Sequence, residues 1–199
     1  MGKNKKIKNQ HKIIVISGPS GAGKTTLIRK VVKRIPTLAF SISATTRPIR
    51  KGEREGVDYF YISEEIFKRL IESDSFIEWA KVHGNLYGTL KYHIDELIKR
   101  EKDVVLDVDE QGAHQIKEKN IPAILIYILP PSIEELEKRL KKRKSELTKE
   151  MKKRLENAKE QILSKGFYDY VVINDDINKA VEELEDIINE YIKNEEEIG

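Results

Sequence analysis

Short apolar segments alternate with amphipathic segments along most of the chain, a pattern typical of strands and helices that follow one another in turn. Apolar runs predict five strands of a central sheet: Lys12–Ser17, Leu38–Ser43, Asp103–Asp107, Ala123–Ile128 and Tyr170–Ile173. Amphipathic stretches predict the core helices: Thr25–Arg34, Glu110–Asn120, Ser132–Lys142, Lys149–Ser164 and Asp176–Lys193. Alternation of this kind predicts an α/β fold with a mostly parallel sheet and helices on both faces.

Two of the predicted helices carry more local signals. Ser132 and Glu135 form a capping box, in which the Glu135 side chain is placed to reach back to the helix start. In the last helix, apolar residues recur at intervals of three and four positions and predict a core-facing stripe: Val181, Leu184, Ile188 and Ile192.

Residues 44–92 interrupt the alternation. Here Asp58–Ile62 and Ser75–His83 predict antiparallel strands on either side of a helix over Glu64–Glu72, so we expect an insertion after the second core strand. Residues 134–159 are a second departure, because lysine and arginine occupy more than a third of the positions. Such a run is either a solvated helix face or a cationic lid.

Composition favours one soluble globular domain. The chain has 199 residues, of which 39% are hydrophobic and 36% charged. No segment is long and apolar enough to cross a bilayer, and the first residues lack the apolar centre of a signal peptide. The absence of cysteine excludes disulfides, thiolate metal sites and a cysteine nucleophile. We therefore expect a cytoplasmic protein.

The net charge of +3 depends on lysines near the N-terminus. Without Lys3, Lys5, Lys6, Lys8 and Lys12, 32 basic residues would face 34 acidic ones, leaving about −2. Residues 1–11 are predicted to form a flexible basic tail, although contact with nucleic acid or anionic lipid is an alternative. A domain so near neutrality is not built to bind nucleic acid, so we expect neither a nucleic-acid nor a membrane partner.

The strongest chemical signal lies between the first predicted strand and the first predicted helix. Residues 18–25 read Gly-Pro-Ser-Gly-Ala-Gly-Lys-Thr, which matches the phosphate-binding pattern G-x-x-x-x-G-K-[ST] in its strand–loop–helix context. Glycines let successive N–H groups point at one anion, and the helix N-terminus adds positive potential. We expect Lys24 to reach the β- and γ-phosphates and the Thr25 hydroxyl to hold Mg²⁺.

A second cluster occurs in the insertion. Arg47 and Arg50 lie on either side of Pro48, and two guanidinium groups on a stiffened loop could clamp a phosphate. Surface ion pairs are the alternative for these arginines. Tyr59 and Tyr87 could add hydroxyl donors.

Acidic residues near apolar strands complete the set of candidates. Glu78 either faces water at a sheet edge or accepts hydrogen bonds from a purine with an N1–H and a 2-amino group, which guanine has and adenine lacks. Asp107 and Asp109 end an apolar strand in the way that supports Mg²⁺ in phosphate-loop enzymes. Gln111 and Gly112 follow at the next helix start, where backbone donors could meet a ligand.

From Ile13 to about Tyr191, the sequence resembles guanylate kinase. The matching stretches are the phosphate loop and residues 41–53, 58–60, 76–79, 84–88, 106–112, 130–132 and 172–175. The resemblance implies a single domain over residues 12–194. Its expected parts are a phosphate-loop kinase core (12–44, 93–131 and 160–194), a GMP-binding subdomain (45–92) and a lid (132–159).

The resemblance also implies roles for individual residues. ATP contacts are implied at Gly18, Pro19, Ser20, Gly21, Ala22, Gly23, Lys24, Thr25, Thr26 and Arg139, with the adenine pocket at Asn174 and Asp175. GMP contacts are implied at Ser43, Arg47, Arg50, Glu53, Tyr59, Glu78, Tyr87, Gly88, Thr89, Asp107, Gln111 and Gly112. The expected catalytic residues are Lys24, Arg50, Arg143 and Arg154, and the expected Mg²⁺ site is Thr25, Asp107 and Asp109.

One position and one short segment depart from the family pattern. Thr89 stands where many members have serine, which keeps the hydroxyl. Residues 143–146, Arg-Lys-Ser-Glu, replace the common Arg-Gly-Thr-Glu/Asp turn of the lid.

The implied reaction is ATP + GMP → ADP + GDP, with dGMP as a second acceptor and no catalytic histidine. A homo-oligomer is compatible with the sequence. One rival is a guanylate-kinase-like binding module, but such modules typically lose the loop lysine and the metal-binding acids, which Lys24 and Asp107 retain here. The other is a kinase of the same fold that acts on a ribose bisphosphate, against which Glu78 and Ser43 favour guanine.

Overall fold

The computed structural model describes residues 11–142 and 166–193. Residues 1–10, the predicted helix Lys149–Ser164 and the predicted site residues Arg143 and Arg154 lie outside these ranges. In chain order the described elements are β1 (Ile13–Ser17), α1 (Lys24–Arg34), β2 (Leu38–Phe40), β3 (Ala44–Thr45), β4 (Phe60–Tyr61), α2 (Glu64–Glu72), β5 (Phe76–Val82), β6 (Asn85–Leu90), α3 (Lys91–Lys99), β7 (Asp103–Asp107), α4 (Glu110–Glu118), β8 (Ala123–Leu129), α5 (Ile133–Lys142), β9 (Tyr170–Ile173) and α6 (Ile177–Lys193).

The central sheet has the strand order β2-β7-β1-β8-β9, and every neighbouring pair is parallel. Ile14, Val15 and Ile16 of the middle strand β1 are buried, because helices cover both faces of the sheet. This arrangement confirms the predicted α/β class. The carboxyl ends of β1 and β7 meet at one edge, since Ile16 pairs with Asp107. In open parallel sheets that edge is where ligands bind.

Helices α1 and α6 pack on one face of the central sheet, and α3 and α4 pack on the other. In α6 the predicted stripe is confirmed, since Val181, Leu184 and Ile188 are buried and Ile192 packs against the same cluster. At α5 the Ser132 hydroxyl accepts a hydrogen bond from the Glu135 amide at 3.1 Å, as the capping box predicts. The Glu135 carboxylate contacts Arg139 one turn later rather than serving the helix start.

A second sheet is built from the insertion, with strand order β4-β3-β6-β5. Its small core packs α2 onto the strands, with the rings of Phe67 and Phe76 stacked 4.4 Å apart. The predicted antiparallel relation between the strands flanking α2 is wrong. β4 is parallel to β3, while β6 is antiparallel to both β3 and β5, so β4 and β5 run in the same direction with two strands between them.

Three further details differ from the sequence prediction. The second core strand ends at Phe40 rather than Ser43, because the chain then crosses to the second sheet as β3. Strand β6 was not predicted, since Asn85 and Gly88 are typical of a turn. Helix α3 was missed because its N-cap, Leu90, provides no side-chain capping group. Among the described helices, none is long and apolar enough to cross a membrane.

Candidate functional site

The loop between β1 and α1 is held against the central sheet by close backbone contacts. Gly18 has a φ of 141°, and a β-carbon there would lie 2.3 Å from the carbonyl oxygen of Ile128. Gly23 has a φ of 97°, and a β-carbon there would lie 2.3 Å from Nδ2 of Asn174. Because the N-cap of α1 is Gly23, no side chain can cap the first amides of that helix. Those amides can therefore serve an anion.

A cation, a hydroxyl and a carboxylate converge beside this loop. Lys24 Nζ donates to the carbonyl oxygen of Gly18 at 2.8 Å and lies 3.8 Å from Asp107 Oδ1. Thr25 Oγ1 donates to Asp107 Oδ2 at 3.3 Å. Burial raises the pKa of Asp107, and the charge of Lys24 opposes that rise. The structure thus brings together three residues that the sequence analysis associated with phosphates and Mg²⁺.

Asp109, the other predicted metal-binding acid, has a structural contact of its own. Its Oδ1 accepts from the Gly112 amide at 2.9 Å and so caps the N-terminus of α4. Within residues 11–142 and 166–193, no three acidic, histidine or cysteine side chains group closely enough to hold a metal ion.

The opposite wall of the site is the second sheet, where Glu78 on β5 is only 4% exposed. Thr89 Oγ1 donates to Glu78 Oε1 at 2.5 Å. Burial removes water from the carboxylate and raises the pKa of Glu78 to about 7, although the Thr89 hydrogen bond acts in the opposite direction. The alternative that Glu78 faces water at a sheet edge is therefore wrong.

The two arginines of the second cluster have different environments. Arg47 is 8% exposed and makes two hydrogen bonds to Glu53, at 3.0 and 2.9 Å, while its guanidinium lies 5.2 Å from the Tyr59 ring centre. Those bonds are the main reason that the pKa of Glu53 falls to about 2. Tyr61 also donates to Glu53, at 2.8 Å. Arg50, by contrast, is exposed and borders the cleft between the two walls.

Glu53 therefore holds the guanidinium of Arg47 and, at 2.8 Å, accepts a hydrogen bond from the backbone amide of Arg50, whose side chain is exposed. Arg47 thus forms an ion pair, as the alternative predicts, but the pair is buried rather than at the surface. The phosphate clamp stays a prediction.

A pocket lies on the other side of the phosphate loop. Asn174 Nδ2 donates to the Ala22 carbonyl oxygen at 2.7 Å, and the main-chain carbonyl oxygen of Asn174 accepts from the Arg139 guanidinium at 3.1 Å. The residues that line this pocket include six predicted nucleotide contacts: Gly21, Gly23, Thr26, Arg139, Asn174 and Asp175. Asp176 and Ile177 line it too and were not predicted.

The cleft between the phosphate loop and the second sheet has a volume of about 420 Å³. The predicted residues that line it are Gly18, Pro19, Ser20, Gly21, Gly23, Lys24, Thr25, Ser43, Arg50, Tyr59, Glu78, Tyr87, Gly88, Asp107, Asp109 and Gln111. Four predicted residues stand behind this lining and contact it: Arg47, Glu53, Thr89 and Gly112.

Other residues that line the cleft were not predicted, among them His83, Glu110 and Leu136. The signal that could have identified Glu110 is its position directly after Asp109, at the start of a predicted helix. Its carboxylate accepts from the Tyr127 hydroxyl at 2.9 Å.

Comparison with known proteins gives one consistent result. A family model described as guanylate kinase matches residues 10–191. A guanylate kinase of Caldanaerobacter subterraneus subsp. tengcongensis is 50% identical over 182 residues, covering 92% of this chain and 88% of the relative. One of Thermotoga maritima is 46% identical over 176 residues, covering 88% and 85%.

Among solved structures, the crystal structure of guanylate kinase from Anaplasma phagocytophilum matches with a TM-score of 0.74 at 32% identity. That match covers 94% of this chain and 88% of the other.

Proposed function

This chain belongs to the guanylate kinase family and transfers a phosphoryl group from ATP to GMP, and we propose that its cleft binds GMP while the pocket beside Asn174 binds adenine. The observation that carries the proposal is the buried Glu78 carboxylate, which lines the same cleft as the phosphate loop. A buried carboxylate is costly unless a partner satisfies it. A ligand that donates two N–H groups would supply that partner.

Guanine is the base that Glu78 suits best. Its N1–H and 2-amino group can donate to one carboxylate side by side, whereas adenine has no N1–H. Thr89 holds one carboxylate oxygen at 2.5 Å, which restricts the side chain before the base arrives. Because dGMP carries the same base, we propose that it is a second acceptor.

The phosphates would lie between the two walls. We propose that Arg50 and the anchored Arg47 hold the GMP phosphate with the hydroxyls of Tyr59 and Tyr87. Lys24 and the loop amides would hold the phosphates of ATP.

In the proposed reaction, an oxygen of the GMP phosphate attacks the γ-phosphorus of ATP. The bond from that phosphorus to the β–γ bridging oxygen breaks, which gives GDP and ADP. The second pKa of a phosphate monoester is about 6, so the attacking group is already mostly a dianion at neutral pH. No general base is required. The protein contributes alignment, neutralisation of charge by Lys24 and the arginines, and exclusion of water.

The residues beside Lys24 fit Mg²⁺, which usually takes one or two carboxylates together with substrate phosphates rather than a cage of protein ligands. Thr25 and Asp107 would hold it, because their oxygens lie 3.3 Å apart next to the phosphate loop. Asp109 would assist only from further away, since it caps α4. The ion would supply charge neutralisation on the transferred phosphoryl group.

An acceptor screen tests the proposed binding of guanine. We expect the wild type to phosphorylate GMP and dGMP well, IMP poorly because it lacks the 2-amino group, and AMP least. UMP, CMP and a ribose bisphosphate should be inactive. In Glu78→Gln an NH₂ group would face a guanine donor. An N–H left without a partner costs about 1–3 kcal/mol, and loss of the charge adds to this, so kcat/KM for GMP should fall by about a hundredfold.

The matched control is Glu110→Gln, which makes the same chemical change on a carboxylate of the same cleft that bonds Tyr127. It should keep the wild-type GMP:IMP ratio. An unchanged ratio in Glu78→Gln would mean that guanine is recognised elsewhere.

Other expectations remain predictions. We propose that Arg143 and Arg154 reach the phosphates from a lid over residues 132–159, that residues 45–92 move as the GMP-binding subdomain, and that the enzyme works in the cytoplasm without nucleic-acid or membrane partners.

A further inference from the structure

Strand β5, which carries Glu78, lies at the edge of the second sheet and pairs with β6 on one side only. Helix α4 of the core serves its other side. Gln115 Oε1 accepts from the Trp79 amide at 3.1 Å, and Gln115 Nε2 donates to the Trp79 carbonyl oxygen at 2.6 Å. One turn later, at the C-cap of α4, Lys119 Nζ donates to the Ile77 carbonyl oxygen at 2.8 Å. Side chains of α4 thus satisfy backbone groups that an edge strand would leave open.

The bonded residues Ile77 and Trp79 are the two sequence neighbours of Glu78, so these contacts hold the backbone on both sides of it. The ladder between β5 and β6 changes register between Phe76 and Glu78, which marks a bulge. A bulge bends its strand and redirects the adjacent side chain. Gly112 lies three residues before Gln115 on α4 and packs closely against Glu78. A β-carbon on Gly112 would lie only 2.5 Å from Glu78 Oε2. The same helix therefore contacts residues 77, 78 and 79.

We propose that Gln115 is a positioning residue that sets the place of the Glu78 carboxylate in the cleft and thereby the preference for guanine over hypoxanthine. This inference rests on the proposed role of Glu78. A glutamine amide matches the donor and acceptor of one peptide unit, so the pair of bonds resists both sliding and twisting of β5. Two hydrogen bonds to the base require accurate placement, and an error of about 1 Å can cost up to a hundredfold in rate.

The test is Gln115→Met, which keeps the length of the side chain and removes both polar atoms. We expect kcat/KM for GMP to fall by about tenfold and the GMP:IMP ratio to fall by about fivefold, while the KM for ATP stays near the wild-type value. The ratio is measured within one preparation, so it does not depend on how much of the variant folds. Trp79 is the only tryptophan in the chain, so its fluorescence can report GMP binding without turnover.

Lys117→Met is the matched control. Lys117 lies on the same helix and also bonds backbone carbonyl oxygens, but those of Gly166 and Phe167. It should leave the GMP:IMP ratio unchanged. An equal loss of the ratio in Lys117→Met would overturn the inference, since general loosening of α4 would then explain the result.

The double variant Glu78→Gln/Gln115→Met separates this inference from the proposed function. If Gln115 acts through Glu78, the double variant should have the same ratio as Glu78→Gln alone. A further loss in the double variant, or a wild-type ratio in Gln115→Met, would overturn the role of Gln115 and leave that of Glu78 intact. If Glu78→Gln keeps the wild-type ratio, the proposed function of Glu78 fails first.

Discussion

The two walls of the cleft carry different kinds of polar group. The wall formed by residues 18–25 presents backbone amides, and its shape depends on close backbone packing at Gly18 and Gly23. The wall formed by the second sheet holds buried ionisable side chains: Glu78 lines the cleft, and the Arg47–Glu53 pair stands behind the lining. Backbone donors suit phosphate, which every nucleotide shares. Side chains can distinguish one base from another, so we assign specificity to the second wall.

The difference has an energetic consequence. Buried charged groups must be paired, so removing a partner in the second sheet should reduce stability as well as binding. A side chain of the phosphate loop faces the cleft, and its loss should mainly reduce the reaction rate.

Lys24→Ala should have the largest effect. We expect kcat/KM to fall by about three orders of magnitude or more, because in the proposed mechanism this lysine neutralises charge that grows in the transition state. The unfolding midpoint in urea should change little. Lys30→Ala, an exposed lysine of the same helix α1, is the control and should be near wild type. Turnover near wild type in Lys24→Ala would contradict the placement of ATP on this loop.

Glu53→Gln should reduce the stability of the fold more than the reaction rate. It leaves the Arg47 guanidinium, in a side chain only 8% exposed, without its charged partner. We expect a loss of about 1–3 kcal/mol in the free energy of unfolding, and a higher KM for GMP with a smaller change in kcat. Glu65→Gln removes an exposed ion pair with Arg69 and should cost less than about 0.5 kcal/mol.

The pH dependence of the Glu53 effect has a defined sign. Since the pKa of Glu53 falls from 4.5 to about 2, its contribution to stability is complete above pH 4.5 and is lost as the pH falls toward 2. The difference between wild type and Glu53→Gln should therefore shrink in acid. A constant difference from pH 6 to pH 3 would argue against the ion pair as its cause.

Titration of Glu78 should change the GMP:IMP ratio of the wild type several-fold. Its pKa is raised from 4.5 to about 7, so the free enzyme gains stability from this group below pH 4.5 and loses it as the pH rises through 7. The proposed pair of hydrogen bonds from guanine requires the ionised form of Glu78. The GMP:IMP ratio should therefore rise between pH 6 and pH 8 in the wild type and stay flat in Glu78→Gln. Using the ratio cancels the phosphate titration that both acceptors share.

Deletion of residues 1–10 should have the smallest effect. These residues precede the first strand and have no apolar pattern, so activity and melting temperature should stay near wild type. A loss of several degrees would show that the lysine-rich segment packs on the domain.

Local patterns were sufficient to locate the strands of the central sheet and the phosphate loop, although they missed helix α3. The order of strands and helices along the chain follows from the spacing of apolar residues, which is a property of residues close in sequence. The phosphate loop follows from an eight-residue motif with a strand before it and a helix after it. The strand ranges Asp103–Asp107 and Tyr170–Ile173 and the α2 range Glu64–Glu72 coincide with the prediction for that reason.

The second wall could not be derived in this way. Asn85–Leu90 becomes a strand only because β3 and β5 pair with it, and Glu78 turns inward because a bulge and helix α4 place it there. Gln115 lies 36 residues from Trp79 along the chain, so no local pattern predicts the hydrogen bonds between its side-chain amide and the Trp79 backbone. Periodicity and short motifs report on neighbours in sequence. The burial of a charge, and the partner that satisfies it, depend on neighbours in space.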